Sequence, residues 1–314
     1  MESQVAKNTS QIWLSGSPLI RQLLLSRLQA VIKVYGETLN PWKSEAASLE
    51  LLQVPIPLYR VQDDTRVLYK SAIALKLASL CDLPSFEISH QLMTYLGNSP
   101  DNYAEQSLLE FTVTLLSPGW LSFQLTNQSL AAWLQFLLET PLSQEDLAFK
   151  EIYQPPSMAH LDLFPIQYAH ARCCSLLRLA HQQGLIQLSP HPQNRVGQII
   201  QPNPIPWLNL ERGELQLVHP AEQRLISQIL ALLDEVTSSS LLTQESDKNV
   251  SLVKLVRALS DALLNFYSQC RIWGEVKTET LLLAQARLGL VSLTQSILAL
   301  ILKERLGVYA PLEL

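Results

Sequence analysis

The sequence predicts a mostly α-helical protein, built as a small α+β domain followed by a helical bundle. Three observations lead there. The chain holds 10 glycines against 47% hydrophobic residues, with Leu and Ala abundant, a composition that favours helices over sheets. Apolar residues recur at helical spacing through most of residues 164–306. Residues 109–125 instead alternate about a Ser117-Pro118-Gly119 turn, as two short strands do.

Residues 17–36 read as the first helix, with Ser17 as N-cap, Pro18 at the first helical position and Gly36 as the end. Leu19, Leu23, Leu24, Leu28 and Val31 share one of its faces. Residues 54–61 look strand-like, and Pro55 and Pro57 demote them to an edge. Residues 67–81 and 85–96 read as the second and third helices. The strand at 109–116 points Phe111, Val113 and Leu115 one way. In the strand at 120–125, Trp120 and Ser122 face one side and Leu121, Phe123 and Leu125 the other. A helix at 127–138 completes an α+β domain over residues 1–140. Residues 141–163, broken by Pro155-Pro156, form a linker. Residues 164–314 form the helical domain, with helices at 166–183, 220–236, 251–273 and 279–306. Five prolines within 190–206 predict an irregular excursion. Residues 207–218 can fold as a small hairpin about Arg212-Gly213, and 238–249 is a polar connector.

The formal net charge is −5. Residues 1–150 carry ten basic and fourteen acidic side chains, and the remainder thirteen and fourteen. No broad positive field exists, so any contact with nucleic acid must use a local patch. The four cysteines, Cys81, Cys173, Cys174 and Cys270, make neither a CxxC pair nor a disulfide framework and suit a reducing, cytoplasmic compartment. The N-terminus lacks a basic-then-apolar leader pattern. The apolar run at 281–283 is broken by Gln285 and Arg287, so no segment is expected to span a bilayer. His90, His160, His170, His181, His191 and His219 are scattered and read as structural or surface groups, with no metal site expected. A Gly-rich phosphate loop, a paired carboxylate cluster and a Ser/His/Asp set are all missing, so no cofactor is expected.

Three blocks are more specific. Gln167-Tyr168-Ala169-His170-Ala171-Arg172 opens the helical domain, residues 259–273 read LSDALLNFYSQCRIW, and the end carries Arg287-Leu288-Gly289-Leu290-Val291 and Leu306-Gly307-Val308-Tyr309-Ala310-Pro311. On spacing, Tyr168, Ala169 and Ala171 set close helix packing, and Phe266, Tyr267 and Trp273 belong to the core. In order and spacing, the blocks resemble the QYAHAR, FY…CRV, RLALV and LGISAP segments of the DALR anticodon-binding domain of arginyl-tRNA synthetases. That resemblance implies a helical bundle of the class I synthetase anticodon-binding type.

The front half resembles the family's additional N-terminal domain, which grips the tRNA elbow. Ser117-Pro118-Gly119-Trp120-Leu121-Ser122-Phe123 stands in the place of its GPGFINI-like hairpin. The resemblance implies that Trp120 stacks on an unpaired base, although on its own terms it is equally a core anchor. Ser122 replaces the family's amide and Ala72 an Asn. Leu314 matches a terminal Met, and Leu312-Glu313 replaces a Glu-Arg pair.

The catalytic domain expected between the two halves has no counterpart. His-x-Gly-His and Lys-Met-Ser-Lys-Ser signatures are missing, and the gap is shorter than the roughly 30 residues of a single βαβ unit. The resemblance therefore implies a non-catalytic relative that binds tRNA or a tRNA-like RNA in a chaperone, sensor or regulatory role. Candidate contacts are Trp120, Ser122, His170, Arg172, Arg178, Arg257, Arg271, Arg287, Lys303, Arg305 and Leu314. The alternative is a protein-interaction scaffold that docks a partner through the Pro-rich excursion or an apolar patch.

Overall fold

The structure, a computed structural model, describes residues 7–13, 19–39, 54–61, 63, 66–97, 108–140, 162–190, 196–209, 211–238 and 245–314. Two compact units divide it, Met1–Trp133 and Leu134–Leu314. The expected N-cap Ser17 and almost all of the expected linker at 141–163 lie outside the described residues.

The first unit is a helical layer on one face of an antiparallel sheet. Its elements are β1 (Lys7–Trp13), α1 (Ile20–Leu39), β2 (Leu58–Val61), β3 (Leu68–Ser71), α2 (Ile73–Cys81), α3 (Ser85–Gly97), β4 (Leu108–Leu116), β5 (Trp120–Leu125) and the first half of α4 (Asn127–Glu139), whose residues from Leu134 onward belong to the second unit. The sheet order is β1-β4-β5-β3-β2, which puts the proline-flanked β2 on an edge as expected. One face buries Tyr69, Phe111, Val113, Leu121 and Phe123 completely. Tyr35 and Trp133 complete this core.

Three expectations are corrected here. The helix predicted over 67–81 begins as strand β3, because Tyr69 and Ser71 drop into the core while Lys70 points away. A two-residue alternation paired to β2 and β5 outweighs local helix propensity. α1 runs through Gly36 to Leu39 instead of ending there. Strand β1 was not expected at all, since KNTSQIW has few apolar residues, yet it pairs with β4 along its whole length.

The second unit holds α5 (Phe164–Gln182), β6 (Gln187–Leu188), β7 (Ile199–Gln201), α6 (Pro220–Ser238), α7 (Glu245–Gln269), α8 (Glu275–Glu279) and α9 (Leu281–Leu300), which widens into a π-helical turn at Ile301–Arg305. α7 begins at Glu245, earlier than its apolar periodicity indicated. α9 is the central helix and buries Ala284 and every residue from Ala286 to Thr294. The stretch Leu281–Arg305 is long and apolar enough to cross a membrane, contrary to expectation. It is 72% buried within the protein, as a bundle's core helix is.

In the Pro-rich excursion β7 pairs with β6, which lies just before it. At its end Ile205, and the following Trp207, are buried at 4% and 3% exposure. Trp207 packs over Gly289 of α9, where an added Cβ would lie 2.5 Å from the indole. Its Nε1 donates to Gln135 Oε1, which also accepts from Ile205 N, each at 3.0 Å. Where a small hairpin about Arg212-Gly213 was expected, Leu208 and Leu215 form an antiparallel bridge, with backbone bonds from Asn209 N to Glu214 O and from Gln216 N to Trp207 O.

Candidate functional site

α5 carries most of the candidate site, and its sequence has two jobs. Ala169 and Ala171 are buried against the bundle as expected. Tyr168 is 41% exposed and is not a packing residue; the helix turns it out beside Phe164, 59% exposed. Their rings stack with centroids 6.2 Å apart and planes at 24°. Burying two such side chains is worth about 1.5–3 kcal/mol each, so leaving a stacked pair in water is a signal of a ligand surface. Tyr309 is 68% exposed, and its carbonyl accepts from Gln167 Nε2 of the same helix at 2.9 Å. Arg257, half exposed, lies nearby; its guanidinium is 3.9 Å from Asp162, whose carboxylate accepts from the Phe164 N–H at 3.2 Å.

The same helix pins the C-terminal tail. His170 Nδ1 lies 2.7 Å from the Pro311 carbonyl, which can only accept, so Nδ1 carries the proton. In the neutral ring Nε2 then accepts from Gln295 Nε2 at 2.9 Å. Arg178 Nη2 donates to Leu312 O at 3.0 Å and pairs with Glu313 at 3.0 Å. Thus Gln167, His170 and Arg178 hold the carbonyls of Tyr309, Pro311 and Leu312. Leu314 is left 67% exposed at the end.

Burial pushes the His170 pKa down, the Pro311 carbonyl partly opposes this, and the Lys303 charge adds to the lowering. A histidine that stays neutral in the folded state while the unfolded chain protonates at its ordinary 6.5 favours unfolding below that pH. Tail attachment is therefore expected at full strength above pH 6.5 and to weaken as pH falls below it. Thermal melts from pH 5 to 7.5 should show a slope that His170→Asn flattens; equal slopes would contradict the assignment.

Several expected contacts are corrected by burial. Ser122 (5% exposed), His170 (1%) and Arg287 (8%) lie inside the protein. Arg287 Nε pairs with Glu222 Oε1 at 2.6 Å, and its Nη1 bonds to the Arg271 carbonyl. His170 likewise commits both ring nitrogens to internal partners, and burial leaves all three little surface to offer a phosphate. Glu222 Oε2 also accepts from the His219 N–H at 2.8 Å, a capping box with Pro220 at the first helical position of α6.

Arg172 is half-buried, 4.5 Å over the Tyr267 ring and bonded to its hydroxyl at 2.6 Å. Phe266 is fully buried as expected, while Tyr267 and Trp273 are half-buried. Arg271 and Lys303 are exposed, and Arg305 is half-buried. Trp120 is half-exposed at the start of β5. The Cys174 and Cys270 thiols are pushed up to about 11 by burial, and Cys173 is raised too. At neutral pH they are thiols rather than nucleophilic thiolates. No group of three or more His, Cys, Asp or Glu able to hold a metal occurs among the described residues.

Residues 166–314 match the DALR anticodon binding domain family. Among curated proteins, the chain is 30% identical to an arginine–tRNA ligase of Synechococcus sp. (strain JA-3-3Ab) over 58% of its own length and 26% of the relative's. It is 29% identical to the arginine–tRNA ligase of Desulfitobacterium hafniense (strain DSM 10664 / DCB-2), over 70% of this chain and 36% of that one. With the enzyme of Moorella thermoacetica the figures are 32% identity, 48% and 22%. The chain thus spans about a quarter to a third of these relatives' lengths. No solved structure matches it significantly.

Proposed function

We propose, from the match of residues 166–314 to the DALR anticodon binding domain family, that the chain binds tRNA or a tRNA-like RNA without itself aminoacylating it. The observation that carries this reading is the exposed Phe164–Tyr168 stack on the first turns of α5. Flat, water-exposed rings suit unstacked bases, such as those of a loop.

The non-catalytic part rests on space inside the chain. Twenty-four residues separate Glu139 from Phe164, fewer than the roughly 30 of one βαβ unit, and a nucleotide-binding sheet needs several. In this reading the protein acts in the cytoplasm as a tRNA chaperone, sensor or regulator. The alternative, a protein-interaction scaffold, would use the Pro-rich excursion, where Ile200 is 47% exposed although Ile205 is buried.

The test is a gel-shift titration of the full chain with total tRNA at low salt. Phe164→Ala with Tyr168→Ala is expected to weaken binding by at least tenfold, since each stacked base is worth about 1–3 kcal/mol. Affinity unchanged in the double variant would remove this surface from the site.

A further inference from the structure

The sheet of the first unit has two edges, and they are built differently. β2, at one edge, is four residues long and follows Pro55 and Pro57. A short, proline-flanked strand is a poor template for another chain. β1, at the other edge, runs seven residues, Lys7–Trp13, and contains no proline. It pairs with β4 in unbroken register from Lys7↔Thr114 to Trp13↔Leu108. Its one charged residue, Lys7, stands at its first position. Among the described residues β1 pairs on its β4 side only. A strand bonds through both of its sides, so the far side of β1 presents backbone N–H and C=O groups at every second residue.

The charge pattern of β1 fits a second copy of the same strand. A twofold axis perpendicular to the sheet runs two β1 strands antiparallel and keeps both helical layers on one side. The register that uses all seven residues turns about Ser10. It opposes Ser10 with Ser10, Thr9 with Gln11, Asn8 with Ile12 and Lys7 with Trp13. No like charges meet, because each Lys7 stands opposite a tryptophan. A parallel, in-register pairing sets Lys7 beside Lys7 instead. The joined sheet has ten strands, five from each copy, which is within the usual size of a sheet. Its outer edges are then the two β2 strands, both short and proline-flanked.

We propose that β1 is a homodimerisation edge, through which two copies of the chain join β1 to β1, antiparallel about Ser10, into one continuous sheet. The contact is small, so the dimer is weak and concentration-dependent. It stands apart from the RNA-binding reading and uses none of the residues named for it.

Sedimentation velocity of the full chain, from low to high micromolar concentration, tests it. The parent is expected to shift from monomer toward dimer. Two double variants then read the register. Gln11→Lys is common to both, and within one copy residue 11 opposes Glu110 of β4. Adding Thr9→Lys sets like charges opposite each other across the two copies, and adding Thr9→Glu sets opposite charges there. The Thr9→Lys form is expected to dimerise more weakly than the Thr9→Glu form by about fivefold or more, because two cross-strand pairs change sign at once. Net charge alone predicts the reverse, since the Thr9→Lys form is the less negative chain. Hydrogen exchange of the parent reads the same edge without a substitution, and alternate amides of β1 are expected to gain protection as concentration rises. A parent that stays monomeric at high micromolar concentration overturns the proposal. So does a parent dimer whose β1 amides gain no protection, or one that the two double variants affect alike.

Discussion

Arg287→Met is expected to destabilise the protein by about 3–5 kcal/mol, because it strands the Glu222 carboxylate inside the bundle. Glu222 is 0% exposed, and its partner side chain is 10% exposed. The carboxylate serves two helices at once, accepting from Arg287 on α9 and from the His219 N–H at the start of α6. Removing the arginine also frees the Arg271 carbonyl beyond the end of α7. Three elements therefore lose a shared tie. A typical domain is stable by only about 5–15 kcal/mol, so the loss is a large fraction of the total. Replacing both partners with apolar residues is expected to recover most of it, since no buried charge then remains. Urea midpoints of the single and double variants decide the matter. A single variant within about 0.5 kcal/mol of the parent, the range of an ordinary surface change, would show that the pair is not buried as described.

Gly289→Ala is expected to cost about 1–3 kcal/mol, against the sign that helix propensity alone gives. In a helix interior, Ala in place of Gly gains about 1 kcal/mol. Here the new methyl would stand 2.5 Å from the indole of Trp207 and 3.1 Å from Ile205 Cγ2. The indole has little freedom to retreat, because its Nε1 is bonded to Gln135 and its ring is 3% exposed. The clash therefore wins. Combining Gly289→Ala with Trp207→Leu should restore part of the loss relative to Trp207→Leu alone, and thermal melts of the four proteins measure that coupling. An additive cycle would contradict the contact.

Much of the fold was legible because it follows from patterns of period 3.6 and 2. The helices of the bundle, the strand pair 109–125 with Trp120 and Ser122 on its open side, and the edge position of β2 all follow from spacing and proline placement. Three kinds of feature did not. β1 is polar, and β3 is a four-residue strand joined to a helix, so neither stands out until its partners are in place. Tyr168 shares a helix with Ala169 and Ala171, and spacing alone did not separate the ring that leaves the core from the methyls that enter it. His170 and Arg287 are exposed-type residues by chemistry. Only the Pro311 carbonyl, Gln295 and Glu222, distant in sequence, make them interior groups. Residues carrying formal charge were thus the poorest guide to the candidate site, and exposed aromatic pairs the better one.

The central claim is that the described surfaces recognise folded RNA rather than polyanions in general. The most direct measurement is an equilibrium titration of the full chain with total tRNA and with double-stranded RNA of equal length, at matched salt. The account predicts tighter binding to tRNA by at least tenfold, a preference that persists as salt rises because stacking does not depend on counterion release. Equal affinity for the two RNAs, or binding that vanishes at physiological salt, would contradict it.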